Sequence, residues 1–176
     1  MKKIQDRVQL GIISGLAGVF VKDLVGTVLV KTGLAEEGAP QRAAGMLLPA
    51  YKVAAPLGRA AGWMADAAVG CLLGIASVYV LSFTGKDRAP LKGLTTGALA
   101  WVGLYGVLGN MGATNVRTAL PRTVLSEFIG HSVFGLVSTA TAAFLGDEDL
   151  FTAGMPRNAA TIRLEVPYSP SPRPRH

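Results

Sequence analysis

Residues 127–146 limit the fold of this chain more than any other stretch, because they form an almost wholly apolar run of about twenty residues. A helix of that length crosses the hydrocarbon core of a bilayer. The run nevertheless contains Glu127 and His131, which are four residues apart and therefore share one face of a helix. Ionisable groups are costly to bury in a membrane, so by default they indicate a functional site. The run therefore predicts a membrane helix with a polar face.

Apolar runs of this kind make up most of the chain, and the charged residues cluster between them. Half of the 176 residues are apolar and only 16% are charged, against about 25% in soluble domains. A soluble domain would spread its charged residues along its helices. We therefore expect four spans, at residues 8–30, 63–83, 93–113 and 124–145. The predicted fold class is all-α, an integral membrane four-helix bundle within residues 1–150. Residues 151–176 are predicted to form a flexible tail rich in proline and arginine.

The segment between the first two spans is too polar to cross a bilayer. From Arg42 onward its basic residues share one side at helical spacing, while alanines and leucines share the other. Pro49 and Pro56 argue against a single straight helix. We expect a short amphipathic segment that lies in the membrane interface or folds over the bundle. A plain connecting loop is the alternative.

Glycines recur at helical spacing in the predicted spans. In lipid, small residues at this spacing let two helix backbones approach closely. A stripe left unused within the bundle would also allow two copies of the chain to associate. The glycines predicted to pack helices together are Gly11, Gly15, Gly18, Gly70, Gly74, Gly93, Gly97, Gly103, Gly106 and Gly135.

Basic residues are distributed unevenly between the two sides of the predicted bundle. Ten lie in the N-terminal segment, the second loop and the tail, and six lie in the first and third loops. Because cytoplasmic segments are enriched in lysine and arginine, both termini are predicted to be cytoplasmic. These residues also account for the net charge of +6, so nucleic acid is not an expected partner. The expected partners are the lipid bilayer and a second copy of the chain or another membrane protein.

Polar side chains from all four predicted spans fall at a common depth, in the half of the membrane away from the termini. Most of them also lie on the small-residue stripes, and a shared depth suggests that they meet. The predicted polar cluster consists of Lys22, Asp23, Asp66, Asn110, Glu127 and His131.

Three interpretations of this cluster compete. In the first, the polar groups pair across the helices and hold the bundle together, since an unpaired charge in lipid costs several kcal/mol. In the second, they line a hydrated pocket or relay in which Glu127 and His131 titrate. In the third, Asp66, Glu127 and His131 bind a metal ion. The third is the least favoured, because the spans contain only one histidine, and no metal is predicted.

Enzyme signatures do not accompany the cluster. The chain has no H-E-x-x-H or G-x-S-x-G motif and no phosphate-binding loop, and its one cysteine, Cys71, lies within an apolar run. We therefore predict no enzymatic activity, no catalytic residue and no cofactor. The predicted function is that of a structural or accessory membrane protein of unknown activity. The alternative is a minor transporter or channel for protons, ions or a small polar solute.

Two parts of the chain carry a family resemblance. Residues 92–106 follow the pattern K-G-x-x-x-G-x-x-x-W-x-x-x-Y-G, and residues 127–135 contain H-x-x-F-G. This combination resembles small uncharacterised bacterial four-span membrane proteins of the YagU or YqhR kind, and residues 62–74 extend the likeness. The resemblance implies a four-helix integral protein of a bacterial cytoplasmic membrane. It implies no activity and no site residue.

Overall fold

A computed structural model describes residues 3–108, 111 and 120–152, and that part of the chain is helical without a β-strand. The predicted tail from residue 153 onward and Asn110 lie outside the described residues. The helices are α1 (Arg7–Lys31), α2 (Ala39–Leu47), α3 (Ala50–Val53), α4 (Pro56–Thr84), α5 (Ala89–Trp101) and α6 (Pro121–Leu145). A π-helical segment, Val102–Leu108, continues α5, and a 3-10 turn, Glu148–Phe151, follows α6.

Three of the helices, α1, α4 and α6, are long and apolar enough to cross a membrane. Because the described part of the chain is helical without a strand, the all-α prediction is confirmed. The first, second and fourth predicted spans each fall within one of the three helices of spanning length. The remaining predicted span begins in α5 and continues through the π segment. Its end lies outside the described residues, so a fourth span stays a prediction.

Short local signals set where the helices begin and end. The Asp6 carboxylate caps α1 by accepting a hydrogen bond from the Gln9 N–H. Proline occupies the first turn of α2, α4, α5 and α6, where a backbone N–H has no helical partner in any case. The turn from α4 to α5 is tight, because Gly85 and Arg88 both have positive φ, at 80° and 52°.

The segment between α1 and α4 is helical and folds against the bundle. Pro49 and Pro56 interrupt it as expected, so that α2, α3 and α4 are separate helices. Helix α2 packs along the first turns of α4. The contact is close because Gly62 in α4 faces the Pro40 carbonyl. Of the alternatives that the sequence left open, the structure favours the one in which this segment folds over the bundle.

Helix α1 packs between α4 and α6, and α5 packs on α6. Glycines make these contacts close: a Cβ at most of the predicted packing positions would come within 3.0 Å of a neighbouring helix. Gly15 faces the Gly70 backbone between α1 and α4, and Gly93 faces the Gly135 backbone between α5 and α6.

Gly103 and Gly106 make no such close contact with another described helix, so their packing role stays a prediction. A Cβ at Gly103 would meet no described atom within 4 Å, and one at Gly106 would meet only a Val102 methyl group 3.7 Å away in its own segment. Both glycines lie in the π segment, where a helical wheel drawn for an α-helix no longer gives the direction of a residue.

The end of the bundle at which α1 begins and α6 ends, here called the terminal end, is closed. The Ile4 N–H donates to the Leu145 carbonyl, and the Asp147 N–H donates to the Ile4 carbonyl. The buried Arg7 side chain donates to the Ser82 hydroxyl and to the Leu150 carbonyl. An apolar plug fills the space between the helices at this end, formed by Leu10, Val78, Leu81, Ala89, Ala142, Leu150 and Phe151. The opposite end, here called the far end, carries the polar residues.

Candidate functional site

Lys22 and Asp66 form the closest ion pair at the far end. The Lys22 amine lies 2.7 and 2.6 Å from the two carboxylate oxygens of Asp66, and 3.2 Å from one oxygen of Asp23. The Lys22 side chain is only 7% exposed. One buried amine is therefore shared by two carboxylates, one from its own helix and one from α4.

The packing of α1 on α4 places this pair. The two helices run antiparallel and meet where Gly15 faces Gly70. Lys22 lies about two turns beyond that contact in α1, and Asp66 lies about one turn before it in α4. The two side chains therefore reach each other across the helix interface.

Glu127 lies in a second group of polar residues at the same end. Its carboxylate accepts a hydrogen bond of 2.9 Å from the Tyr105 hydroxyl and lies 3.2 Å from the Arg42 Nε. The Arg42 guanidinium also lies over the Tyr105 ring, 5.7 Å from its centroid. The Arg42 Nε–H group makes no hydrogen bond to the Glu127 carboxylate. The contact at Nε is therefore an ion pair without a hydrogen bond. The pair links α2 to α6, and Tyr105 links the π segment to α6.

His131 lies one turn further into α6. Its Nδ1 is 2.9 Å from the Glu127 carbonyl oxygen, and its ring meets Tyr105 edge-on at 5.4 Å between centroids. Because a carbonyl oxygen can only accept, Nδ1 is the nitrogen that carries the proton. The described residues contain no group of three histidine, cysteine, aspartate or glutamate side chains placed to hold a metal ion.

Sequence reasoning missed Arg42 and Tyr105 as members of the site. The α-helical wheel places Tyr105 with Trp101, away from the polar side of its span. The π segment begins at Val102, and its wider i→i+5 turn changes the direction of the residues that follow. No sequence signal marks this change. Arg42 had a usable signal, because it lies on the polar side of an amphipathic segment next to the far end.

The structure thus brings five of the six predicted cluster residues to the far end, in two groups. The first, here called the amine group, consists of Lys22, Asp23 and Asp66. The second, here called the Glu127 group, consists of Arg42, Tyr105, Glu127 and His131. They adjoin because the Lys22 side chain lies against Gly130, on the same stretch of α6 as the Glu127 group.

A cavity of about 530 Å³ opens beside both groups. The residues around it include Lys22, Asp23 and Glu127 from the two groups, together with the apolar residues Phe20 and Trp63. Its walls are the second half of α1, the segment 35–41, and the first turns of α4 and α6. This volume lies within the range of small-molecule pockets, which are lined mainly by apolar groups with a few polar ones.

The segment that forms one wall of the cavity is tied to the start of α6. The Glu36 N–H donates to the Thr123 hydroxyl at 3.3 Å, and the Ser126 hydroxyl donates to the Leu34 carbonyl at 3.0 Å. The Glu36 carboxylate accepts from the Leu120 N–H at 3.4 Å, so it caps α6 from outside that helix. These contacts hold the wall in place over the polar groups.

Comparison with known proteins gives no match: no protein-family model, curated protein or solved structure matches the chain. The resemblance to the YagU or YqhR kind therefore stays a prediction.

Proposed function

We propose that the chain is an integral membrane protein of a bacterial cytoplasmic membrane, with four spans and both termini in the cytoplasm. We propose further that its role is structural or accessory, and that the two polar groups fix the arrangement of its helices. The observation that carries this proposal is the distribution of polarity across the helices.

That distribution is the reverse of the one in a water-soluble bundle. Ser14, Ser138 and Thr139 are fully buried, whereas Phe20 and Leu72 are 59% and 67% exposed. Large apolar side chains on the outside of long helices would be unfavourable in water. They suit a lipid environment, where small and polar residues face neighbouring helices.

The polar groups join the helices at the far end, which the apolar plug at the terminal end does not reach. Lys22 and Asp66 connect α1 to α4, and Arg42 and Glu127 connect α2 to α6. Within a bilayer each unpaired member would cost several kcal/mol. The pairs therefore favour one helix arrangement over others, which is the role expected of a structural polar cluster.

Cysteine labelling tests the membrane topology. In a Cys71→Ala background, we would place one cysteine at Glu37 beside the far end and, in a second variant, one at Lys86 beside the terminal end. A membrane-impermeant maleimide should label position 37 in intact cells and position 86 only after permeabilisation. Labelling of position 86 alone in intact cells would reverse the orientation, and labelling of both positions only after permeabilisation would contradict a membrane between them.

A second candidate function, binding and transport of a small polar solute, is favoured by the cavity at the far end. The cavity ends against the polar groups, and the apolar plug fills the terminal end, so the described structure does not form an open channel. Proteoliposome flux of protons or common ions that is abolished by Glu127→Gln would favour transport. Absence of any flux would favour the accessory role.

A further inference from the structure

The far-end cavity is a slot that runs along the second half of α1. Its wall in this helix extends from Phe20 to Lys31, which is about 16 Å at the rise of an α-helix. A volume of about 530 Å³ spread over that length makes the cavity long and narrow. Phe20 and Leu24 in α1 and Trp63 in α4 are each more than half exposed, so the slot is open along one side. Since both helices are long enough to cross a membrane, lipid would lie against that open side.

The charged groups at the deep end of the slot offer a ligand little polar surface. The Lys22 amine lies between two carboxylates, and the side chains of Lys22 and Glu127 are less than one-tenth exposed. Both carboxylate oxygens of Asp23 are shielded from the surroundings. A ligand in the slot would therefore contact mainly apolar side chains. Apolar walls without partner atoms lose van der Waals contacts, and a lipid tail, which is as apolar as leucine, restores them.

The exposed charges lie at the rim of the slot, which is here defined as Lys31, Glu36, Glu37 and Arg59. Lys31 is the last residue of α1 and Arg59 lies in the first turn of α4, and both are exposed. Neither side chain forms an ion pair or a hydrogen bond with a described residue. Glu36 is engaged at the start of α6, which it caps. Two free cations and one free carboxylate, that of Glu37, therefore remain at the rim, with one positive charge in excess.

The order of charged and apolar residues along the slot matches that of a phospholipid in the same leaflet. The cations of the rim lie at helix ends, where the surface of a bilayer would be. Trp63 lies one turn further into α4 than Arg59, and Phe20 lies about three turns further into α1 than Lys31. Lysine and arginine near a membrane surface attract anionic headgroups, and the apolar walls accommodate a hydrocarbon chain.

From this geometry we propose that the slot binds one anionic phospholipid of the surrounding bilayer, with its phosphate at Lys31 and Arg59 and one acyl chain against Phe20 and Trp63. This proposal goes beyond the accessory role and rests on the membrane location proposed above. It assigns the cavity to a lipid instead of the polar solute of the second candidate function. Cysteine labelling reports the membrane location and lipid titration reports the site, so the two proposals can fail independently.

Quenching of tryptophan fluorescence provides the test, because Trp63 lines the slot and the chain has only one other tryptophan. The full chain carrying Trp101→Phe would be titrated in dodecylmaltoside micelles with phosphatidylglycerol whose acyl chains carry bromine, which quenches tryptophan on contact. We expect quenching that saturates near one lipid per chain. Brominated diacylglycerol, which lacks the phosphate, should require concentrations more than about tenfold higher. If Trp101→Phe does not fold, the difference between the unmodified chain and Trp63→Phe gives the same measurement.

A pair of glycine variants tests whether an acyl chain occupies the slot. Gly26 lines the slot and Gly103 does not, and a Cβ at either position would meet no described atom within 4 Å. Gly26→Leu should fill the slot and weaken phosphatidylglycerol binding more than about tenfold, because the acyl chain loses its contacts with the walls. Gly103→Leu should leave the binding unchanged. Unweakened binding by folded Gly26→Leu would overturn the proposal.

A set of charge variants tests the headgroup contact. Lys31→Gln combined with Arg59→Gln should weaken phosphatidylglycerol binding more than about tenfold and leave diacylglycerol binding unchanged. Lys52→Gln is the control, because Lys52 is an exposed basic residue of the same end that does not line the slot. Equal binding of the two lipids by the unmodified chain would overturn the proposal. So would quenching that rises with the brominated lipid without saturation, or equal effects of the paired variant and Lys52→Gln.

Discussion

The Lys22 amine donates to both carboxylate oxygens of Asp66, 2.7 and 2.6 Å away, across the interface between α1 and α4. Both side chains are at least 87% buried, since their exposed fractions are 7% and 13%. The pair lies beyond the region where glycines hold the two helices in backbone contact. Because the pair joins the two helices, loss of either charge should disturb the way in which α1 packs on α4.

Removal of one member of this pair should destabilise the protein strongly. Lys22→Met leaves Asp23 and Asp66 as two buried carboxylates, and we expect it to lower the free energy of unfolding by about 3–5 kcal/mol. Lys22→Met combined with Asp66→Asn should recover part of that loss, because the second change removes a stranded charge. Unfolding by SDS in mixed micelles, followed by circular dichroism, measures both.

Lys86→Met is the matched control, because Lys86 pairs with Glu148 on the exposed surface, where its side chain is 39% exposed. We expect an effect of at most about 1 kcal/mol there. Additive effects of Lys22→Met and Asp66→Asn would show that the two side chains are not energetically coupled.

The Tyr105 hydroxyl should contribute through its hydrogen bond to the Glu127 carboxylate. Tyr105→Phe keeps the ring against His131 and removes only this donor. We expect it to lower the free energy of unfolding by about 1.5–3 kcal/mol, the range for a hydrogen bond to a charged group. Tyr51→Phe is the control, because the Tyr51 side chain is 80% exposed. An equal, small effect in both variants would mean that the hydroxyl does not support Glu127.

Glycines that look equivalent in sequence should differ in their tolerance of a methyl group. A Cβ at Gly15 would overlap the Gly70 backbone, whereas one at Gly103 would meet no described atom within 4 Å. Gly15→Ala should therefore force α1 and α4 apart and lower the melting temperature, with a cost of about 1–3 kcal/mol. Gly103→Ala should be neutral or slightly stabilising, because alanine favours helix more than glycine does. Equal losses in the two variants would contradict the described packing.

The turn between α4 and α5 should give a small acid-dependent effect. The Lys92 amine bonds to Asp87 at 3.0 Å, and this hydrogen bond and charge lower the pKa of the Asp87 carboxyl below its ordinary value of 3.8. A lowered folded-state pKa means that the stabilisation is complete above the unfolded pKa and is lost as pH falls through the folded one. The melting temperatures of wild type and Asp87→Asn should therefore differ at neutral pH and converge as the pH falls through the folded-state pKa, which lies below 3.8. If the difference in melting temperature between wild type and Asp87→Asn stayed constant as the pH fell, the ion pair would be excluded as its source.

Local sequence features predicted where the helices lie in the chain. They did not always predict which side of a helix faces its neighbours. The apolar runs, the prolines and the Asp6 cap indicated where helices begin and end. The position of Lys22, Asp66 and Glu127 towards one end of their helices followed from the rise per residue of an α-helix. The inward direction of Tyr105 did not follow, because the π segment breaks the α-helical wheel after Trp101.

The amino-acid sequence by itself determined that the chain forms long apolar helices, because each helix satisfies its backbone hydrogen bonds within one continuous segment. It also determined that the charged residues lie towards one end of these helices. Only the tertiary structure decided the partners: Asp66 holds Lys22, whereas Glu127 meets Arg42 from a helix folded over the bundle. Such pairings depend on how separate segments pack, and contacts between segments distant in the chain cannot be read from local periodicity.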